Sequence, residues 1–251
     1  MALQYNDKAL SYIAFNYEPQ PGFVRKLSEA FEAVQTKFQF KIWAIAPDKY
    51  FIRNVEKRYI ISFELNRLGF FGLGLDVLRQ EHAKLADIFV MAFEVMGVAT
   101  VKRSGLRVTA FIPVDMSHHE ICKLMFGSFL QDEKTYEPLC GSPKDVLIQV
   151  HGTQRELDTK TIIAAMTGEQ VGSHIASLSN LEMLVEPRLY DEALIHFRSR
   201  AMQDCLFIDN DLSRDDRTPT SIPEFLSRAL SVSEYMAETS VYRLKAIQKR
   251  G

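Results

Sequence analysis

AMQDCLFIDNDLSRDDRTPTSIPEFLSRALSVSEYMAETSVYRLKAI, residues 201–247, carries the clearest element signal in the chain. Cys205, Leu206, Phe207 and Ile208 form a short apolar run bounded by Asp209-Asn210-Asp211. A run of that length ending in turn-formers reads as a buried strand. The polar stretch SRDDRTPT, 213–220, reads as the loop after it. A helix is expected over 221–248. Ser221 and Glu224 have the spacing of a capping box. Pro223 falls in the first turn, where its missing N–H costs nothing. Apolar residues then recur from Ile222 to Ile247 in steps mostly of three and four, which puts one stripe on one face. Roughly 27 residues make a rod about 40 Å long. Such a rod needs a broad apolar partner, and a sheet containing 205–208 is the expected one.

Working outward, 10–17 reads as a first strand, and Phe23 to Phe38 has helical spacing. β-branched and aromatic residues crowd 40–46, 50–55 and 59–65, with turns at Pro47-Asp48 and Glu56-Lys57. That pattern predicts an antiparallel meander, which 68–75 continues as a further strand. A long helical run over 77–96 stops at Gly97. A strand follows over 100–113, then a short helix in which Ser117 caps and Glu120 sits at the third position. The polar stretch 131–143, with Pro138, Gly141 and Pro143, is the expected boundary between two halves. The second half opens with the strand DVLIQVHG. The run DTKTIIAAMTGEQVGSHIA, 158–176, mixes strand and helix signals, and strand is preferred. LEMLVEPRLYDEALIHFRSR, 181–200, is broken by Pro187. The expectation is an α+β protein of two antiparallel-sheet halves, 1–135 and 144–251, each packed by helices. Its long C-terminal helix is 221–248.

The chain has 251 residues, 47% hydrophobic content and a net charge of −2 from 30 basic and 32 acidic residues. That near-neutral balance gives no electrostatic case for a general nucleic-acid binder. The cysteines Cys122, Cys140 and Cys205 are odd in number and lack CxxC spacing, so reduced thiols in a cytoplasmic protein are expected. MALQYNDKALSY carries no basic region followed by an apolar run, so no secretory signal is expected. No apolar segment approaches the roughly 18 residues of a membrane span.

At KRSGLRVTAFIPV and LFIDNDL the chain resembles a sporadically distributed family of uncharacterised bacterial and archaeal proteins. That family carries a strand of the form R-x-G-L-R-Y-I-N-R-I. Arg103, Gly105, Leu106 and Arg107 match it, while Val108-Thr109-Ala110 replace Tyr-Ile-Asn. Near its end the family has a strand like L-L-D-I-D and a long helix beginning near a His-Glu pair. Asp209 and Asp211 match the strand with Asn210 between them, and Ser233-Glu234 stand where His-Glu is usual. The resemblance implies a fold and a gene context more than a reaction. The context is an accessory or mobile-element gene working beside defence or restriction genes.

Candidate chemistry is sparse. Asp209 and Asp211, at i and i+2 from a strand end, are the carboxylates placed to bind a hard divalent cation. The alternative is that they cap the following turn. Arg103 and Arg107 fall on one strand face and are candidates for an acidic ligand, or for pairing with carboxylates elsewhere. Phe70 and Phe71 belong to a core or mark a partner patch. Their glycines, Gly69, Gly72 and Gly74, have G-x-x-G-x-G spacing, which is no dinucleotide fingerprint. His118-His119-Glu120 with Cys122 has ligand chemistry. Adjacent histidines on a helix diverge by about 100°, and zinc sites want paired spacings, so a solvated first turn is expected. His151, His174 and His196 stand alone, and no G-x-S-x-G elbow is present.

With strong folding signals and no complete catalytic motif, the expectation is a cytoplasmic, non-catalytic interaction or adaptor protein with no cofactor. Its partner is another protein or a second copy of itself. Two alternatives stand beside it. One is a metal-dependent hydrolase or nuclease using Asp209 and Asp211. The other is a small-ligand sensor with a pocket between the halves.

Overall fold

The computed structural model describes residues 9–19, 21–46, 49–54, 56–129, 144–174 and 203–248. The elements are β1 (Ala9–Asn16), α1 (Phe23–Phe38), β2 (Ile42–Ala46), β3 (Lys49–Asn54), β4 (Tyr59–Glu64), β5 (Arg67–Leu73), α2 (Leu75–Met96) and β6 (Val101–Pro113). They continue with α3 (His118–Phe129), β7 (Leu147–Gln154), β8 (Leu157–Met166), β9 (Cys205–Arg217) and α4 (Ile222–Gln248). The nine strands of the described residues join one sheet, in the order β2-β3-β4-β5-β1-β6-β9-β8-β7. Every pairing is antiparallel. The expected meander is β2 to β5. The first stretch contributes β1–β6 and the second β7–β9, and β6 meets β9 at the junction. The two stretches are therefore joined there by a backbone ladder rather than parted by a cleft. The boundary loop read at 131–143 and the segment 181–200 lie outside the described residues, as do Cys140 and His196.

The 205–208 strand is present, but it is longer than its apolar run. β9 continues through Asp209-Asn210-Asp211 and the polar stretch to Arg217. The expected loop shrinks to a single 3-10 turn, Pro219–Ser221. Its location explains this. β9 pairs with β6 along its whole length and with β8 as far as Ser213, so extended backbone gives its amides ladder partners. Its polar side chains also find partners. Thr161 donates to Asn210 Oδ1 at 3.0 Å, and Asn210 Nδ2 donates to the Ser233 carbonyl of α4 at 3.5 Å.

The capping box expected at Ser221 is not formed. The Ser221 hydroxyl donates to the Thr218 carbonyl at 2.8 Å and accepts from Arg214 at 2.9 Å. Glu224 instead accepts from Arg228 at 2.5 Å. The box at Ser117 does form. Glu120 accepts from the Ser117 amide at 2.8 Å, and Ser117 Oγ accepts from the Glu120 amide at 3.4 Å.

Helices α1, α2 and α4 cover one face of the sheet. Alternation sends Ile13, Phe15, Leu68, Phe70, Leu106 and Ile208 into that layer, all buried. Phe15 is the hub. Its ring meets Phe89 and Phe93 of α2 and Phe225 of α4, edge-on, with centroids 4.9, 6.3 and 6.0 Å away. Glu234 of α4 pairs with Arg79 of α2. In the 158–176 run, β8 takes the strand signal and a helical turn over 168–174 takes the rest. Among the described residues, no helix is long and apolar enough to cross a membrane.

Gly72 explains part of the glycine-rich β5. A Cβ there would lie 2.7 Å from the Phe70 ring and 3.0 Å from Ser11 Oγ. The missing side chain is the space that lets the Phe70 ring lie in the core. Gly72→Ala overpacks this layer and is expected to cost about 1–3 kcal/mol, read as a lower denaturation midpoint. An unchanged midpoint would show that the ring is free to move.

Candidate interaction surface

The face away from α1, α2 and α4 is built by strand alternation and register. In the β6–β9 ladder Arg107 stands opposite Asp211, Thr109 opposite Asp209 and Arg103 opposite Asp215. All six residues project from the same face. The sequence suggests an arginine pair and a carboxylate pair, and the fold merges them into one cluster. Arg107 grips Asp209 in a two-pronged pair, Nε to Oδ1 at 2.9 Å and Nη2 to Oδ2 at 2.7 Å. Thr109 Oγ1 donates to Asp209 Oδ1 at 2.9 Å. Arg103 reaches Asp211 more loosely, at 3.9 Å.

Asp209 is 3% exposed, whereas Arg107, Arg103 and Asp211 keep a side in solvent. The hydrogen bonds to Asp209 hold the Arg107 guanidinium more firmly protonated than usual, against the opposing effect of burial. Both Asp209 oxygens are committed, and guanidinium groups stand where a divalent cation would sit. The two aspartates are thus arranged as halves of ion pairs.

Phe70 and Phe71 separate. Phe70 is 1% exposed, on the helix-covered face, so it is core and cannot meet a partner. Phe71 is half-buried on the second face, opposite Tyr12. From it one cross-strand row runs Phe71, Tyr12, Arg107, Asp211, Lys160, His151, ending on β7. Tyr12 accepts from Arg67 at 2.6 Å, and Arg67 in turn bonds Glu64 at 2.7 Å.

A small apolar cluster holds the end of this face near Cys205, where Leu10, Phe111, Ala164, Val171 and Phe207 meet. His174 packs edge-on against Phe111 and Phe207, with centroids 5.9 and 5.1 Å away. Burial pushes its imidazole below the ordinary value of 6.5, while Asp209 pulls the other way.

The row ends at an unusual edge. Among the described residues β7 bonds only to β8, and it is exposed along most of its length on both faces. Leu147 is 63% exposed and Val150 57%. LIQVHGTQ contains no charged residue and no proline, and those are the devices that commonly guard a sheet edge.

Of the His118-His119-Glu120 and Cys122 group, Glu120 is the capping residue of α3. His118 and Cys122 lie one turn apart, and Asp145, which precedes β7, joins them. Burial, and then the Asp145 charge, push the Cys122 thiol up, with the nearby Val146 amide acting the other way. Asp145, Thr109 and the bare edge of β7 were missed by sequence reasoning. Only the absence of charge in LIQVHGTQ was visible beforehand. Comparison with known proteins finds no family model that matches the chain and no match among curated proteins.

Two measurements test this geometry. Arg107→Met strands the buried Asp209 carboxylate. The expected loss is about 2 kcal/mol, below the 3–5 of a fully buried pair because Arg107 is partly solvated. Asp209→Asn in that background should recover most of it in urea denaturation. His174 should titrate by NMR with a midpoint below 6.5. Its folded-state proton affinity is the lower one, so its contribution to stability is full above pH 6.5. That contribution falls as pH drops from 6.5 through the folded value. A midpoint at or above 6.5 would contradict the packing described.

Proposed function

We propose that this is a cytoplasmic, non-catalytic interaction protein that binds by strand addition at β7, first of all to a second copy of itself. The observation that carries the reading is the exposure of Leu147 and Val150 on an uncharged, proline-free edge strand. Extended peptides add to such edges through main-chain hydrogen bonds, and side chains on alternate positions give selectivity.

Self-pairing is favoured by the composition of the strand. An antiparallel β7–β7 pair about a two-fold axis sets no like charges opposite one another. It would cover both exposed apolar residues, because Leu147 and Val150 fall on opposite faces. The neighbouring row through Lys160, Asp211 and Arg107 gives such an interface a polar flank. The committed ion pairs of Asp209 and Asp211 support a recognition surface over a metal-dependent hydrolase.

Sedimentation velocity across a concentration series tests this. A dimer is expected at tens of micromolar, and Val150→Lys should weaken association at least about tenfold by placing like charges close across the pair. A chain that stays monomeric at every concentration, or a Val150→Lys dimer of unchanged affinity, would overturn the self-pairing reading.

A further inference from the structure

Three donors of different chemistry meet where α3 begins. His118 and Cys122 are four residues apart on α3, so they share one helix face. Asp145 arrives from the segment leading into β7. The Cys122 sulfur lies 3.8 Å from both ring nitrogens of His118, and His118 Nε2 lies 3.7 Å from Asp145 Oδ1. All three donors fall within 4.8 Å of one another. A tetrahedral ion with bonds of about 2.0–2.3 Å to nitrogen, oxygen and sulfur spaces its donors about 3.3–3.6 Å apart. The two histidine spacings are a few tenths of an ångström wider and the whole set lies within 4.8 Å, so closing on an ion takes a turn of the His118 ring toward the sulfur and an inward swing of the exposed Asp145 carboxylate.

The surroundings hold the donors in place. The Ser117–Glu120 box fixes the start of α3, and the His118 amide donates to Asp204 Oδ2 at 2.7 Å. The Val146 amide donates to Asp145 Oδ1 at 2.9 Å, and the Val146 carbonyl accepts from Ala165 of β8. Accessibility is graded. Cys122 is 1% exposed, His118 is intermediate, and the Asp145 carboxylate stands mostly in solvent. An ion can therefore approach from the Asp145 side and come to rest on the sulfur.

We infer that His118, Cys122 and Asp145 form a zinc-class metal site, with three protein ligands and a fourth position open to water. Thiolate, imidazole and carboxylate together suit Zn²⁺ or its surrogate Co²⁺ and ill suit Mg²⁺ or Ca²⁺, which take oxygen ligands. Binding replaces the thiol proton, which passes to solvent, and forms a sulfur–metal bond with no change of oxidation state. The same trio is a poor nucleophile–base arrangement, because the sulfur is enclosed and a substrate cannot reach it. The ion would fasten α3 to the lead-in of β7. The inference does not depend on self-association through β7.

Co²⁺ titration of the full chain tests it. One equivalent should produce a thiolate-to-cobalt charge-transfer band, with visible bands of tetrahedral intensity, and Zn²⁺ should displace them. Cys122→Ser should abolish the charge-transfer band. Asp145→Asn, at an exposed position that leaves the core untouched, should weaken Zn²⁺ binding at least about tenfold while its far-ultraviolet circular dichroism stays unchanged. The inference is overturned if no charge-transfer band forms, if the band survives in Cys122→Ser, or if Asp145→Asn binds Zn²⁺ as tightly as the parent.

Discussion

Pairing of β6 with β9 is the constraint on which the rest of the molecule depends. The ladder extends from Val101 opposite Arg217 to Pro113 opposite Cys205. It joins strands from the two ends of the chain into one sheet, and it fixes which residues meet on each face. A shift of one residue would turn every side chain of β9 to the wrong layer. Ile208 and Leu212 would leave the core and Asp209 would enter it. The Arg107–Asp209 pair and the Thr109 hydrogen bond occur only in the register observed. That register also admits Asn210, a fully buried amide, because Thr161 and the Ser233 carbonyl stand ready to satisfy it.

Much of the architecture was legible beforehand because it rests on local periodicity. Apolar spacing located α1, α2 and α4, and aromatic alternation located the β2–β5 meander. The end of β9 was not legible. Asp209 through Arg217 have the composition of a turn, and composition says nothing of neighbours. Partners a hundred or more residues away, Arg107 and Thr109, make an aspartate acceptable inside a central strand. Ser221 shows the same effect at a helix start, where Arg214 takes the hydroxyl that local spacing assigned to a cap.

The candidate residues follow the same rule. Arg103, Arg107, Asp209 and Asp211 were each visible as charged residues in strand patterns. Their meeting depends on β6 lying beside β9, which no single segment encodes. Asp145 is one acid among 32 acidic residues, and only the fold sets it beside His118 and Cys122. The sheet is accordingly two-sided. One face is closed by aromatic packing around Phe15, and the other carries paired charges toward a bare edge.

Strand order and chain order differ most at the middle of the sheet, and this governs how the chain is made. β6 is complete at residue 113, but its outer neighbour begins only at residue 205. During synthesis the ribosome therefore releases a six-stranded sheet whose β6 flank stays unpaired until about ninety more residues have emerged. At a typical elongation rate of about 5–20 residues per second, that interval lasts roughly 5 to 20 seconds. Val108, Ala110 and Ile112 on that flank are the residues a nascent-chain chaperone has most reason to shield.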